Sequence, residues 1–85
     1  MALVRLRAPL KELAGGSEHI VDGGTVGELL RELERAHPGM SGWMFDERGT
    51  IRRYLNVFVN GERGGADTAV GPEDCVYVVP SIQGG

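Results

Sequence analysis

The segment Thr25-Val26-Gly27-Glu28-Leu29-Leu30-Arg31-Glu32-Leu33-Glu34-Arg35-Ala36-His37-Pro38 decides how this chain folds. Val26, Leu29, Leu30, Leu33 and Ala36 recur at the three- and four-residue steps of one helix face, while Arg31, Glu32, Glu34 and Arg35 fill the other. The pattern predicts an amphipathic helix of about three turns laid on a sheet. Thr25 and Glu28 have the spacing of a capping box, in which Thr25 caps the first turn and Glu28 reaches back. At the other end His37 lies where a cation is favoured by exposed carbonyls, and Pro38-Gly39 stops the helix.

Strand signals flank this helix on both sides. Upstream, Ala2-Leu3-Val4-Arg5-Leu6-Arg7 alternates, with Ala2, Val4 and Leu6 on one face and Arg5 and Arg7 on the other. Pro9 ends that strand, Leu10 to Ala14 suits a short helical turn, and Gly15-Gly16 permits a reversal into a second strand over Ser17 to Asp22. Downstream, Met40 to Arg53 has no clean period and is expected to form an ordered loop, with one short helical turn, over an end of the core. Tyr54-Leu55-Asn56-Val57-Phe58-Val59 is the strongest strand signal, and Asn60-Gly61 is the favoured two-residue hairpin turn. Glu62-Arg63 begins a short return, Gly71 to Asp74 is another turn, and Cys75-Val76-Tyr77-Val78-Val79 is the last strand, ended by Pro80.

The order is thus strand, strand, helix, strand, short strand, strand. A single crossover helix among hairpins implies a mixed sheet of four to five strands, helix on one face, with the first and last strands adjacent and parallel at its centre. That is an α+β arrangement of the β-grasp type. Residues 1–80 are expected to form this domain and residues 81–85 a flexible tail.

Composition limits the function classes. The 85 residues allow one domain, and a hydrophobic fraction of 41% with 25% charged residues is that of an ordinary folded protein. No apolar run approaches the roughly 18 residues of a membrane span, and Met1 to Pro9 lacks the apolar core of a signal peptide, so a cytoplasmic protein is expected. Nine basic against twelve acidic residues give a net charge of −3, which argues against nucleic acid as a partner. Arg48, Arg52 and Arg53 read as a solvated basic loop rather than a docking site.

Candidate chemistry inside the domain is sparse. Cys75 is the single cysteine, lies in a strand, and has neither His19 nor His37 placed beside it by any recognisable motif. The two histidines lack the further partners that a metal would need, so no metal site is expected. Asp22-Gly23-Gly24-Thr25-Val26-Gly27 lacks the spacing of a dinucleotide fingerprint and the lysine of a P-loop, and reads as a turn and helix cap.

Two features remain. The ending Ile82-Gln83-Gly84-Gly85 carries two glycines, which have no Cβ and leave the backbone narrow and free enough to enter a slot where a side chain would collide. A carboxylate on Gly85 could be delivered that way into another protein's active site. The second feature is an apolar outer sheet face. If Leu55, Val57 and Val59 point to the helix, Tyr54 and Phe58 face outward; if Val76 and Val78 point inward, so do Tyr77 and Val79 face outward. Phe58, Tyr77 and Val79, beside Pro80 and Ile82, are the candidate partner-binding surface, with cross-strand packing as the plainer reading.

The segments Tyr54 to Gly61, Gly71 to Asp74 and Val76 to Gly85, with the ending Pro80-Ser81-Ile82-Gln83-Gly84-Gly85, together resemble the ubiquitin-like sulfur carriers of the ThiS/MoaD family. The long Pro38 to Arg53 segment looks more like the MoaD-related and CysO-type carriers. The resemblance implies that the chain is not an enzyme but a protein co-substrate, monomeric when free. It implies that an E1-like adenylating enzyme of the ThiF/MoeB type uses ATP and Mg²⁺ to make an acyl-adenylate at Gly85. Sulfide or a donor protein's persulfide then yields a thiocarboxylate, and a sulfur-accepting synthase takes that sulfur for cysteine, molybdopterin, thiamine or a thio-sugar. By the same resemblance the chain itself binds no cofactor, Gly85 is the reacting residue, and Phe58, Tyr77, Val79, Pro80, Ile82, Gln83 and Gly84 are contacts. A protein modifier joined through Gly85 to target lysines, and a plain interaction domain, are the alternatives.

Overall fold

A computed structural model describes residues 1–81 of the chain. Strands β1 (Ala2–Leu6), β2 (Glu18–Val21), β3 (Leu55–Val59), β4 (Glu62–Gly64) and β5 (Cys75–Pro80) form one sheet in the order β2-β1-β5-β3-β4. β1 and β5 run parallel at its centre and the other neighbours are antiparallel, as the crossover helix requires. A short helix α1 (Leu10–Leu13) bridges the first hairpin, and the main helix α2 (Val26–Ala36) is followed by a 3₁₀ turn at Pro38–Met40.

α2 forms where its periodicity placed it, and the donors at its first turn are all engaged. Thr25 Oγ1 accepts from the Glu28 N–H at 3.2 Å, and Glu28 Oε1 accepts from the N–H of Gly24 at 2.8 Å, one residue further back than a standard box. The N–H groups of Val26 and Gly27 donate to the carbonyls of Thr68 and Ala66 at 3.0 and 2.9 Å. The free donors of a helix start are therefore satisfied by the loop after β4. Gly27 permits this approach, since a Cβ there would meet the Ala66 carbonyl oxygen at 3.2 Å. The reading of residues 22–27 as cap and turn rather than phosphate cradle has this physical basis.

Val26, Leu29, Leu30 and Leu33 pack on Ala2, Val4, Leu6, Leu55, Val57, Val76 and Val78 from the sheet, all buried. Ala36, expected in the same stripe, is exposed, and Met40 from the turn beyond it is buried instead. The irregular stretch closes the core: Met44 is fully buried and Phe45 nearly so, while Trp43 is exposed. Arg31 ties this loop to α2, donating to the Gly49 carbonyl at 2.9 Å with its guanidinium 4.8 Å from the Phe45 ring centre. At Asn60-Gly61 φ is 52° and 88°, the left-handed pair that a type I′ hairpin needs.

Candidate functional site

The alternation of β1, β3 and β5 buries one face against α2 and leaves the other accessible. Register then sets one row straight across all five strands. Glu18 pairs with Arg5, Arg5 with Tyr77, Tyr77 with Phe58, and Phe58 with Arg63. Phe58 and Tyr77 stand at the middle of the row, Tyr77 38% exposed and Phe58 half-buried. Arginines flank them: the Arg5 guanidinium lies 5.6 Å from the Tyr77 ring centre and donates to its hydroxyl at 2.8 Å, and Arg63 lies 5.7 Å from the Phe58 ring centre. Arg5 is itself held by Glu18 at 3.1 Å. These contacts are exposed and screened by solvent, so their main effect is to fix where two cations stand beside two rings.

Val79 lies on the same face in the next row, opposite Asn56, and Pro80 ends β5 opposite Leu55. Leu55 and Pro80 form a non-hydrogen-bonded pair, because the exchange with β3 falls at Asn60–Cys75 and every second pair from it. The N–H that proline lacks would therefore face β1, which has already ended at Leu6. Beyond it Ser81 is tied to the domain: its N–H donates to the Tyr54 carbonyl at 2.6 Å, and its Oγ accepts from the Asn56 amide at 2.9 Å. Ile82, Gln83, Gly84 and Gly85, the remainder of the sequence-predicted site, lie outside the described residues.

Of the outward aromatics, Phe58 and Tyr77 are brought together as expected, but Tyr54 is not with them. It precedes the first residue of β3, where the strand's alternation does not yet hold, and it packs partly buried against the core with its hydroxyl donating to the Trp43 carbonyl. Arg5, Arg63 and Asn56 stand on the same face, beside the rings or beside Ser81, and were not singled out from sequence. Alternation put Arg5 on the outer face; no local signal linked it or Arg63 to a ring, because that depends on the register of non-adjacent segments.

The other candidates are placed apart from this face or engaged elsewhere. Cys75 is half-buried on the outer side and its N–H donates to Asn60 Oδ1 at 3.0 Å; His19 belongs to the opposite side, paired with inward-facing Val4. His19 and His37, unrelated in sequence, meet across the β2–α2 seam with ring centres 5.0 Å apart, and His19 Nε2 lies 2.9 Å from the Gly16 carbonyl oxygen. Among the described residues no group of three or more His, Cys, Asp or Glu could hold a metal ion. Arg52 donates to the Gly42 carbonyl at 2.7 Å, a tie within its own loop. Among the described residues no helix is long and apolar enough to cross a membrane.

A five-stranded mixed sheet gripping one main helix, with an aromatic outer face leading into a Gly-Gly ending, defines a ubiquitin-like β-grasp protein. The chain belongs to the ThiS family, whose model matches residues 4–85. It is 31% identical over 83 residues to the sulfur carrier protein CysO of Mycobacterium tuberculosis, a match covering 89% of each chain. Small archaeal modifier protein 1 of Haloferax volcanii is 33% identical over 84 residues, covering 95% of this chain and 97% of that one. Its crystal structure superposes with a TM-score of 0.85 over 99% of this chain and 98% of that chain, at 33% identity. A chain of the Amycolatopsis orientalis BexX/CysO complex superposes with a TM-score of 0.86 over 100% of both chains, at 28% identity.

Proposed function

We propose that this protein is a sulfur carrier whose reacting group is the carboxylate of Gly85. The observation that carries the reading is that the family match runs through Gly84 and Gly85, the Gly-Gly ending that follows the outer sheet face in sequence. A carboxylate is too poor an electrophile to accept sulfur. An E1-like adenylating partner of the ThiF/MoeB type supplies the activation: a carboxylate oxygen attacks the α-phosphorus of ATP and pyrophosphate leaves. Sulfide then attacks the acyl carbon and AMP departs, so one oxygen of Gly85 is exchanged for sulfur with no net redox change. Where a persulfide protein is the donor, a second thiol is needed to release the sulfur. A synthase next passes the sulfur to its acceptor, and water supplies the oxygen that makes Gly85 a carboxylate again.

The geometry of the outer face supports a division of labour. Phe58, Tyr77 and Val79 form the docking face, Arg5 and Arg63 select a partner surface with carboxylates around an apolar contact, and Pro80 to Gly84 deliver the reacting end. ATP and its magnesium belong to the partner, the carrier works as a monomer between encounters, and the setting is cytoplasmic. Intact-mass measurement after incubation with ATP, sulfide and a cognate activating enzyme is expected to show one oxygen replaced by sulfur, localised to the C-terminal peptide. No such product with any cognate activating enzyme refutes the assignment.

A second reading draws on the modifier relatives: attachment of Gly85 to lysine amines uses the same activation. High-molecular-weight adducts in cells that vanish when Gly85 is deleted would favour it.

A further inference from the structure

The outer face and the start of the tail are joined by one chain of contacts. Arg63, whose guanidinium lies 5.7 Å from the Phe58 ring centre, donates to Asn56 Oδ1 at 2.6 Å. The same Asn56 side chain donates from Nδ2 to Ser81 Oγ at 2.9 Å. Ser81 is held a second time through its backbone, its N–H donating to Tyr54, whose own hydroxyl is bound to the Trp43 carbonyl. A residue just past a strand end, exposed to water, ordinarily has no reason to be fixed twice.

We infer that Asn56 and Ser81 are positioning residues that set the direction in which the tail leaves the docking face; the inference rests on the carrier reading. Four residues follow Ser81, and a chain of that length reaches at most about 14 Å. Tyr77 stands four strand residues before Ser81, about 13 Å away. A partner bound on Phe58 and Tyr77 must therefore have its reacting site inside a small sphere around Ser81. An exit point free to wander would waste most encounters, because near-attack placement tolerates displacements of only about 1 Å. Asn56 links the anchor to the arginine on the docking face, so the partner's grip on Arg63 and the tail's origin share one frame. The grip on the partner is assigned to Phe58, Tyr77, Val79 and the two arginines, so the loss of Asn56 or Ser81 is read in kcat rather than in KM.

The test is steady-state kinetics of pyrophosphate release by the activating enzyme, with the full-length carrier as varied substrate. Asn56→Ala and Ser81→Ala are expected to lower kcat about 5- to 10-fold, the worth of one or two lost hydrogen bonds, while KM stays within about twofold. Ser81→Thr, which keeps the hydroxyl, restores kcat; Arg63→Ala raises KM. Thermal melts of each variant check that the fold is retained, as expected for side chains on an open face. A kcat within twofold of wild type in both alanine variants overturns the positioning role and leaves the carrier reading intact. A rise in KM with kcat unchanged overturns it too, making Asn56 a docking residue. A wild-type protein that is never adenylated removes the carrier reading and this inference with it.

Discussion

Two carboxylates hold turns at opposite ends of the polypeptide's later half. Asp74 accepts from the Asn60 amide at 2.9 Å and from the Gly71 N–H at 2.7 Å; Asp46 accepts from the N–H groups of Arg48 and Thr50. Each is held below the usual carboxylate range, Asp74 chiefly by the Asn60 amide and then the Gly71 N–H, Asp46 chiefly by the Thr50 N–H. A carboxyl with a lower pKa folded than unfolded binds fewer protons in the native state, so its contribution is present above the unfolded value of about 3.9 and is lost as pH falls through the folded one. Thermal unfolding followed from pH 6 to pH 2 should therefore show Tm falling below about pH 4. Asp74→Asn should start lower at pH 6 and fall less steeply; an unaltered slope would rule out Asp74 as a contributor. Gly71-Pro72-Glu73-Asp74 was readable as a turn because those residue types favour one locally. That Asp74 reaches across to Asn60 was not readable, since it needs the register between β3 and β5. Asn56 was hidden for the same reason: in sequence it is one polar residue on an outward strand position, and its importance arises only where Ser81 is brought beside it.

Periodic elements were legible and the aperiodic one was not. β1, β3 and β5 showed their two-residue alternation, α2 its 3.6-residue stripe and its cap, and these alone dictate a mixed sheet with a crossover. Between Pro38 and Arg53 three adjacent apolar residues, Trp43-Met44-Phe45, carry no period, so composition could not tell which enter the core. The folded chain sends in Met44 and Phe45 and leaves Trp43 41% exposed. The loop is thus a structural lid on the core rather than a loose insertion. Met44→Ala should cost about 2–5 kcal/mol, the usual range for emptying a buried Met position, out of a total that is typically about 5–15 kcal/mol. Urea titration checks this, with a lowered midpoint expected. Tyr54 stands one residue before β3 and departs from the outward position that alternation predicts: it packs partly buried against the core, and its hydroxyl belongs with the lid, on Trp43.

The domain as a unit offers one accessible sheet face and one covered face, and binding should follow that division. Phe58→Ala combined with Tyr77→Ala is expected to weaken affinity for the activating partner by at least about 30-fold, the scale of a hot-spot aromatic. Tm should fall only a few degrees, because the cross-strand pair itself is worth about 1 kcal/mol or less. Calorimetric titration separates the two effects, and an unchanged Kd would remove the face from the interface. The topology has a different consequence for how the molecule comes into being. β5, residues 75–80, lies between β1 and β3 and, among the described residues, is the strand that joins both halves of the sheet. Until it is in place the β1–β2 and β3–β4 pairs stay separate, so completing the sheet that α2 covers requires closing a long loop to pair residues 2–6 with it. A translation product that stops before Cys75 lacks this keystone and leaves the β1–β2 and β3–β4 pairs unjoined. The arrangement acts as its own quality gate: the finished outer face exists only in chains in which β5 has taken its place between β1 and β3.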